Sequence, residues 1–235
     1  MAYYNKSKPA ASAKPKALVF LNIVTMPKAE GEFSQDLFNQ KKYTFDKNLS
    51  YKYTQLNSDI ERDNFIKCLS FQLSNVVCIS GKLQIGTQIN EFTSLNLTDE
   101  KDVLNNFFEK IINEVYKMGY DLNYIHFNGL NFAVPYLIKK CIQHQIEIKD
   151  PGFLNLIKFR THPHYDLCAL MSNWGGSEYI SLPNLNEFLN LGIDFHDYIN
   201  DFSNLSEDEI KNYCQKTVDI IQQGYNRTKN YFIIN

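Results

Sequence analysis

Asn22 is the first residue whose position in the sequence could carry chemistry. It follows the apolar run Leu18–Leu21, and the pattern continues through Val24 until Pro27 breaks it. The run predicts a buried strand over residues 17–25. A polar side chain near the end of a buried first strand is where many α/β enzymes place a catalytic acid. Asn22 carries an amide there, so the rest of the chain must show whether an acid belongs at this place.

Two other local patterns could bind a ligand. His162, His164 and Asp166 form an H-P-H-x-D cluster whose side chains could ligate a metal ion. Pro163 between the two histidines favours a loop at the surface, and this is our interpretation. Trp174 precedes two glycines, so it is either an exposed platform on which a base could stack or an ordinary, partly buried side chain.

The hydrophobic pattern predicts the elements that position these residues. Residues 75–83 and 86–93 alternate as a hairpin, and 122–127 form a further strand. Apolar residues then recur at helical spacing behind a predicted N-cap at Thr98. The other predicted helices lie near 59–67, at about 132–144, and from a capping box at Ser206–Glu209 to about residue 230. The remainder of 28–67 carries mixed signals and stays unassigned. The order of elements predicts one α/β or mixed α+β domain over residues 17–235.

Composition and charge limit the classes of function. The chain has 24 basic and 26 acidic residues and a net charge of −2, so no whole-protein field attracts nucleic acid or an anionic membrane. Residues 1–16 form a predicted flexible basic arm, which is either a solubilising tail or a segment whose Lys14 and Lys16 contact phosphate. Five scattered cysteines without a CxxC pair, and no apolar signal segment, predict a cytoplasmic protein that is neither secreted nor membrane-bound. The frequent Asn, Lys, Ile and Tyr suit a bacterial or phage genome.

Three segments, taken together, resemble the motifs of the DEDDy 3′–5′ exonucleases. The similarity is to the predicted exonucleases related to the proofreading domain of family B DNA polymerases. Their motifs read Phe-Asp-Ile-Glu-Thr, Asn-Gly-x-x-Phe-Asp-x-Pro-x-Leu and Tyr-Cys-x-x-Asp-Val. This chain has FLNIVT at 20–25, HFNGLNFAVPYL at 126–137 and NYCQKTVD at 212–219. The resemblance spans roughly residues 17–230 and implies a ribonuclease H-like α/β fold, a mixed sheet of about five strands flanked by helices.

The departures from the family motifs concern its chemistry. In that family, four carboxylates hold two Mg²⁺ or Mn²⁺ ions that activate water for phosphodiester cleavage. The matching positions here are Asn22, Val24, Ala133 and Thr217, none of which is an acid. Two dications about 4 Å apart repel by roughly 17 kcal/mol at an effective dielectric of about 20, so neutral side chains cannot hold them. We therefore expect no catalytic residue, no metal and no cofactor.

The resemblance without the acids predicts a catalytically inactive exonuclease-like protein. We expect it to bind single-stranded DNA or RNA in replication, repair or phage biology, with Asn128, Tyr213, Trp174, Lys14 and Lys16 as contacts. A protein–protein adaptor on the same fold, with replication or phage proteins as partners, is one alternative. An active metal-dependent exonuclease with non-standard ligands is another. Replacement ligands could come from displaced acids, with Asp166 and Asp219 as candidates, and deliberate inactivation by engineering also stays open.

Overall fold

The core of the fold is a five-stranded mixed sheet. The structure is a computed structural model that describes residues 14–48, 58–196, 202 and 205–232. The strands lie in the order β3-β2-β1-β4-β5. Their bounds are Lys16–Pro27 (β1), Ser74–Ile85 (β2), Gln88–Leu95 (β3), Asp121–His126 (β4) and His164–Asp166 (β5). β1 pairs antiparallel with β2 and parallel with β4, while β2 with β3 is antiparallel and β4 with β5 is parallel.

Helices pack on both faces of this sheet. They are α1 (Gln35–Asn48), α2 (Asp59–Cys68), α3 (Glu100–Phe107), α4 (Asn113–Lys117), α5 (Ala133–His144), α6 (Leu167–Met171), α7 (Leu182–Phe188) and α8 (Glu207–Thr228). A π-helical turn at Phe108–Ile112 joins α3 to α4, and a 3₁₀ turn spans Asn173–Gly175. None of the helices in the described part of the chain combines the length and the apolar character that a membrane span requires.

Alternating residues of β1 feed two separate cores. Val19, Leu21 and Ile23 belong to the cluster that includes the apolar residues of α3 and α5. Phe20 packs edge-on against the ring of Tyr225 of α8, and Val24 belongs to a cluster with residues of the same helix. Successive side chains of a strand point to opposite faces, so the even-numbered residues of β1 face α8. The predicted α/β fold, a mixed five-stranded sheet flanked by helices, is confirmed.

Where the predicted and observed helix boundaries agree, capping residues explain most of the agreement. Ser206 and Glu209 form the predicted capping box of α8, each bonding to the backbone of the other. The prediction of Thr98 as the N-cap of α3 was wrong. Asp99 caps this helix by accepting a hydrogen bond from the backbone N–H of Asp102. The Asn96 side chain accepts hydrogen bonds from the backbone N–H groups of Thr98 and Asp99, which keeps Thr98 outside the helix. Helix α1 lies in the stretch that the sequence left unassigned.

The basic arm falls largely outside the described residues, which begin at 14. Lys16, predicted as the last residue of the arm, is the first residue of β1. Lys14 lies just before the strand, and its Nζ is 5.6 Å from the centroid of the Tyr116 ring. The two lysines therefore lie at the start of β1.

Candidate functional site

Asn22 of β1 and helix α8 are in direct contact. The Asn22 Nδ2 donates a hydrogen bond to Cys214 Sγ at 3.4 Å, and the Cys214 thiol donates to the Asn22 carbonyl oxygen at 3.7 Å. Thr217 follows Cys214 by three residues, so both lie on the same face of α8. The segments of the first and third motifs thus meet across 192 residues of sequence separation.

Apolar packing surrounds this contact. Val24 is 1% exposed. The cluster around it consists of Val24, Val77, Cys78, Phe202, Ile210 and Cys214. The hydrogen bond to Cys214 and burial raise the pKa of the Cys78 thiol, so that sulfur stays neutral and supplies no thiolate ligand. Apolar side chains and cysteine sulfurs therefore fill the space beside Asn22.

Ala133 begins helix α5, seven residues beyond the end of β4. It is 8% exposed and belongs to the core cluster that also contains Ile23, Val134 and Leu137. β1 and β4 are parallel, so Ala133 lies beyond the carboxyl end of the strand that neighbours β1. This is the edge of the sheet at which α/β proteins assemble their sites.

The side chains at the four motif positions do not suit divalent metal ions. The Asn22 amide nitrogen is committed to the Cys214 sulfur, and Val24 and Ala133 have no donor atoms. Thr217 offers one hydroxyl oxygen, whereas Mg²⁺ is usually held by one or two carboxylates. Within the residues that the structure describes, no group of three or more His, Cys, Asp or Glu side chains could hold a metal ion. The donor set is that of a packed protein interior.

Asp219 and Asp166, the two candidate replacement acids, have other partners. Asp219 Oδ1 lies 2.6 Å from Nζ of Lys82, a residue of β2. Asp166 is fully buried and accepts hydrogen bonds from the backbone N–H groups of Asn128 and Leu130, at 2.9 Å each, and of Ala169 at 3.2 Å. Its carboxylate therefore fixes the turn that leads into α5.

The hydroxyl of Thr217 yields a stability prediction. Thr217 is 3% exposed, and its Oγ1 is buried without a hydrogen-bond partner among the described residues. An unpaired buried polar group costs about 1–3 kcal/mol, and Val has the same shape. We expect Thr217→Val to raise the free energy of unfolding by about 1 kcal/mol, measured by urea denaturation. Thr93→Val, which removes a hydroxyl bonded to Ser80, should be destabilising and serves as the control. A destabilised Thr217→Val would mean that this hydroxyl has a partner.

A comparison of the sequence with known families shows which family the chain belongs to. The profile of the family described as predicted 3′–5′ exonucleases related to the exonuclease domain of PolB matches residues 63–223. The chain belongs to this family. The match to the PolB-related exonucleases includes the segments around Ala133 and Thr217 and begins after β1. No curated protein matches the chain in sequence. The predicted resemblance is confirmed, and an exonuclease-like domain is what the match establishes.

His164 and Asp166 correct the interpretation of the H-P-H-x-D cluster as a surface loop. His164 is 2% exposed and lies in β5 with Asp166, whereas His162 is exposed and sits 3.6 Å from Asp121. β5 is an edge strand that pairs with β4, and contacts with Phe153 and with the turn before α5 bury the side chains of His164 and Asp166. The exonuclease-like fold therefore uses His164 and Asp166 inside the core.

A chain of polar contacts links these residues. His164 Nε2 lies 3.2 Å from the Phe153 carbonyl oxygen, and His164 Nδ1 lies 3.2 Å from His126 Nε2. A carbonyl can only accept, so His164 carries its hydrogen on Nε2 and accepts from His126 through Nδ1. His126 Nδ1 in turn lies 3.5 Å from Asp166 Oδ2. The two histidines and the Asp166 carboxylate therefore form one buried chain of polar groups.

Burial of His164 makes stability depend on pH. Burial and the positive charge of His126 lower the pKa of His164 to about 3 from 6.5. A base whose pKa is lower in the folded state stabilises the fold fully above its unfolded value, and this contribution decreases as pH falls toward the folded pKa. Between pH 6.5 and 5, at 1.36 kcal/mol per pKa unit, we expect a loss of about 2 kcal/mol. Urea denaturation across this range measures it.

Two variants separate His164 from the other titrating groups. His164→Gln should have a flatter pH dependence of unfolding than the unmodified protein, although it is less stable overall. His162→Gln, which changes an exposed histidine two residues away, should keep the original dependence. Equal slopes in all three proteins would contradict the assignment to His164.

The other predicted contact residues lie in three separate places. Asn128 adopts a φ of 55° in the turn before α5, and its Oδ1 accepts a hydrogen bond from Asn131. The ring of Tyr213 is half-buried between Phe195, at 5.3 Å between centroids, and Phe202, at 5.0 Å. Trp174 is half-buried, and its ring contacts Phe159. The Tyr213 ring therefore packs against two neighbouring aromatic rings, whereas the Trp174 ring is partly exposed at the surface.

Two features of these regions were not predicted from the sequence. One is the contact between Cys214 and Asn22: Cys214 matches the Tyr-Cys pair of the third motif, but that match did not indicate what its thiol contacts. The other is Phe159, which lies between Lys158 and Arg160 and is 63% exposed. An aromatic residue between two cations is a recognisable signal for nucleic-acid contact, and it was available in the sequence.

Proposed function

We propose that this chain is a non-catalytic exonuclease-like module that binds single-stranded nucleic acid. The observation that carries the proposal is the contact between Asn22 and Cys214. Where a nuclease of the family needs a carboxylate, the amide bonds to a cysteine sulfur within an apolar cluster. Hydrolysis by two metal ions requires charged oxygen ligands at that place. The proposed setting is DNA replication or repair in the cytoplasm of a bacterial or phage-infected cell.

A protein–protein adaptor is the second candidate. Apolar side chains fill the space around Val24 and Cys214, next to positions where the family carries its acids. A filled region supports a role in which the fold is used as a scaffold. Nucleic acid would then contact another surface or none at all.

A hydrolysis assay tests the catalytic part of the proposal. The full chain is incubated with 5′-labelled single-stranded DNA and RNA in Mg²⁺ or Mn²⁺, and shortening of the labelled strands is followed on gels. We expect no more shortening than in a control sample that contains buffer and no protein. Shortening that EDTA abolishes, and that Asn22→Ala also abolishes, would show an active nuclease with non-standard ligands.

A binding assay tests the ligand. Fluorescence anisotropy of labelled single-stranded oligonucleotides is measured at about 50 mM salt, where counterion release favours binding most. We expect an affinity that falls as salt is added. Absence of binding to both DNA and RNA would contradict the nucleic-acid proposal and favour the adaptor.

A further inference from the structure

An aromatic pair lies at the surface between two loops. Phe159 belongs to the loop before β5, and Trp174 belongs to the 3₁₀ turn after α6. Their ring centroids are 5.1 Å apart and their planes are tilted by 48°. Phe159 is 63% exposed, and its loop also exposes Leu154, Leu156 and Ile157. Exposed apolar side chains contribute less to the stability of a fold than buried ones. A group of them at the surface therefore suggests a binding surface.

The backbone holds both rings in an unusual way. Phe159 has a φ of 65° and Trp174 a φ of 57°, both in the left-handed region. The other non-glycine residues with positive φ in the described chain are Asn128, Gln145, Asn173 and Asn190. Asn tolerates this region, and Gln145 is the C-cap of α5, whereas bulky aromatic residues rarely adopt it. Two such residues in mutual contact indicate that the surrounding structure fixes this pair.

Two cations flank the pair. Lys158 and Arg160 are exposed on either side of Phe159 in the sequence. Among the described residues, neither forms an ion pair with a carboxylate. The acid of the neighbouring loop is Glu178, which is exposed. The two cations outnumber it, so the surface is complementary to an anion.

We propose that Phe159 and Trp174 form a stacking platform for the bases of single-stranded DNA, with Lys158 and Arg160 contacting its phosphates. This inference rests on the proposed function and places its ligand on this surface. Unpaired bases present their faces for stacking, whereas those of a duplex are covered by neighbouring bases. Sequence-tolerant binding of single strands combines aromatic rings with cations in this way. Relation to the exonuclease domain of PolB makes DNA the expected ligand.

Trp174 is the only tryptophan of the chain and reports directly on this surface. Its fluorescence is titrated with a single-stranded oligothymidylate at about 50 mM salt, where counterion release favours binding. We expect saturable quenching in the unmodified protein. Phe159→Ala should weaken binding at least about fivefold, the lower end of the effect of losing one stacked base. Phe188→Ala removes a ring of nearly equal exposure, 65%, from α7 and should bind normally.

The cations are tested by the salt dependence of affinity. For single strands, the slope of log K against log salt is about −0.7 per phosphate contact. Lys158→Gln/Arg160→Gln should therefore reduce the magnitude of the slope by about 1.4. Lys101→Gln/Lys110→Gln removes two exposed lysines from α3 and the π-helical turn, changes the net charge equally, and should leave the slope unchanged.

The outcomes separate this inference from the proposed function. Normal binding and quenching in Phe159→Ala and in the double cation variant would overturn the surface but leave nucleic-acid binding standing. Absence of any binding by the unmodified protein would overturn both. Tighter binding of oligouridylate than of oligothymidylate would overturn the assignment to DNA.

Discussion

Replacing Asp166 with Asn is expected to lower the free energy of unfolding by about 3 kcal/mol. The carboxylate accepts three backbone N–H groups and faces His126 at 3.5 Å. The Asn amide nitrogen would face the Leu130 N–H or His126 as a second donor, leaving a buried group unpaired. Hydrogen bonds to charged groups contribute about 1.5–3 kcal/mol, and breaking a buried ion pair costs about 3–5 kcal/mol. Thermal denaturation should show a melting temperature about 6–12 °C lower for a chain of this size.

The pKa of Asp166 gives this prediction a pH signature. Burial alone would raise that pKa, but His126 and the backbone N–H groups of Leu130 and Ala169 together hold it below its ordinary value. A carboxylate with a lowered pKa stabilises the fold above its unfolded value of about 3.9, and this contribution disappears as pH falls through the folded pKa. The Asp166→Asn defect should therefore be full at neutral pH and shrink in strong acid.

Asp121→Asn is the matched control for Asp166→Asn. Asp121 is half-exposed and pairs with exposed His162 at 3.6 Å, so its loss should cost less than about 1 kcal/mol. If the two variants were equally stable, Asp166 would not fix the turn into α5. That turn carries Asn128 and leads to Ala133, so its loosening should also disturb the region of the second motif.

Replacing Lys140 with Met should be at least as damaging, at about 3–5 kcal/mol. Lys140 is fully buried on α5, and its Nζ lies 2.6 Å from the Ser74 carbonyl oxygen and 3.0 Å from Glu100 Oε2. Glu100 also accepts from the Val76 N–H and from His144. Met would leave the buried Glu100 carboxylate without its cation. Urea denaturation measures the loss.

The neighbouring lysine supplies the control for Lys140. Lys139 is exposed and lies over the Phe71 ring, so Lys139→Met should cost less than about 1 kcal/mol. In the double variant Glu100→Gln/Lys140→Met, the unpaired charge is gone, and part of the stability should return. Additive losses in the double variant would show that the two charges do not act as a pair.

Elements with local signals were predictable from the sequence. β1 is a continuous apolar run, and α8 starts at a capping box whose residues lie three apart. Helix α1 was not predictable, because its buried residues are only Phe38 and Phe45, seven residues apart in an otherwise polar helix. Two turns without other buried residues do not show a helical period.

Features that depend on distant partners could not be derived from local spacing. Asn22 and Cys214 are 192 residues apart, and no spacing rule places one beside the other. The resemblance to the exonuclease motifs supplied that pairing. Burial of His164 and Asp166 likewise depends on β4, so the local proline suggested a loop. Phe159 meets Trp174 only because two loops are held together by the fold.

Side chains without a carboxylate at the four motif positions are compatible with the stability of this fold. Four carboxylates in one cleft repel one another unless metal ions neutralise them. Val24 and Ala133 instead contribute apolar packing, and Asn22 pairs with a thiol. The exonuclease-like fold can therefore persist without the metal ions that the family requires for hydrolysis.

Binding of Mn²⁺ tests the central claim, that these positions do not form a metal site. Electron paramagnetic resonance of Mn²⁺ added to an excess of the full chain measures how much of the ion stays free. We expect the free-ion signal to match that of buffer, and to be the same for Asn22→Ala as for the unmodified protein. A decrease of the free-ion signal that Asn22→Ala reverses would contradict the account.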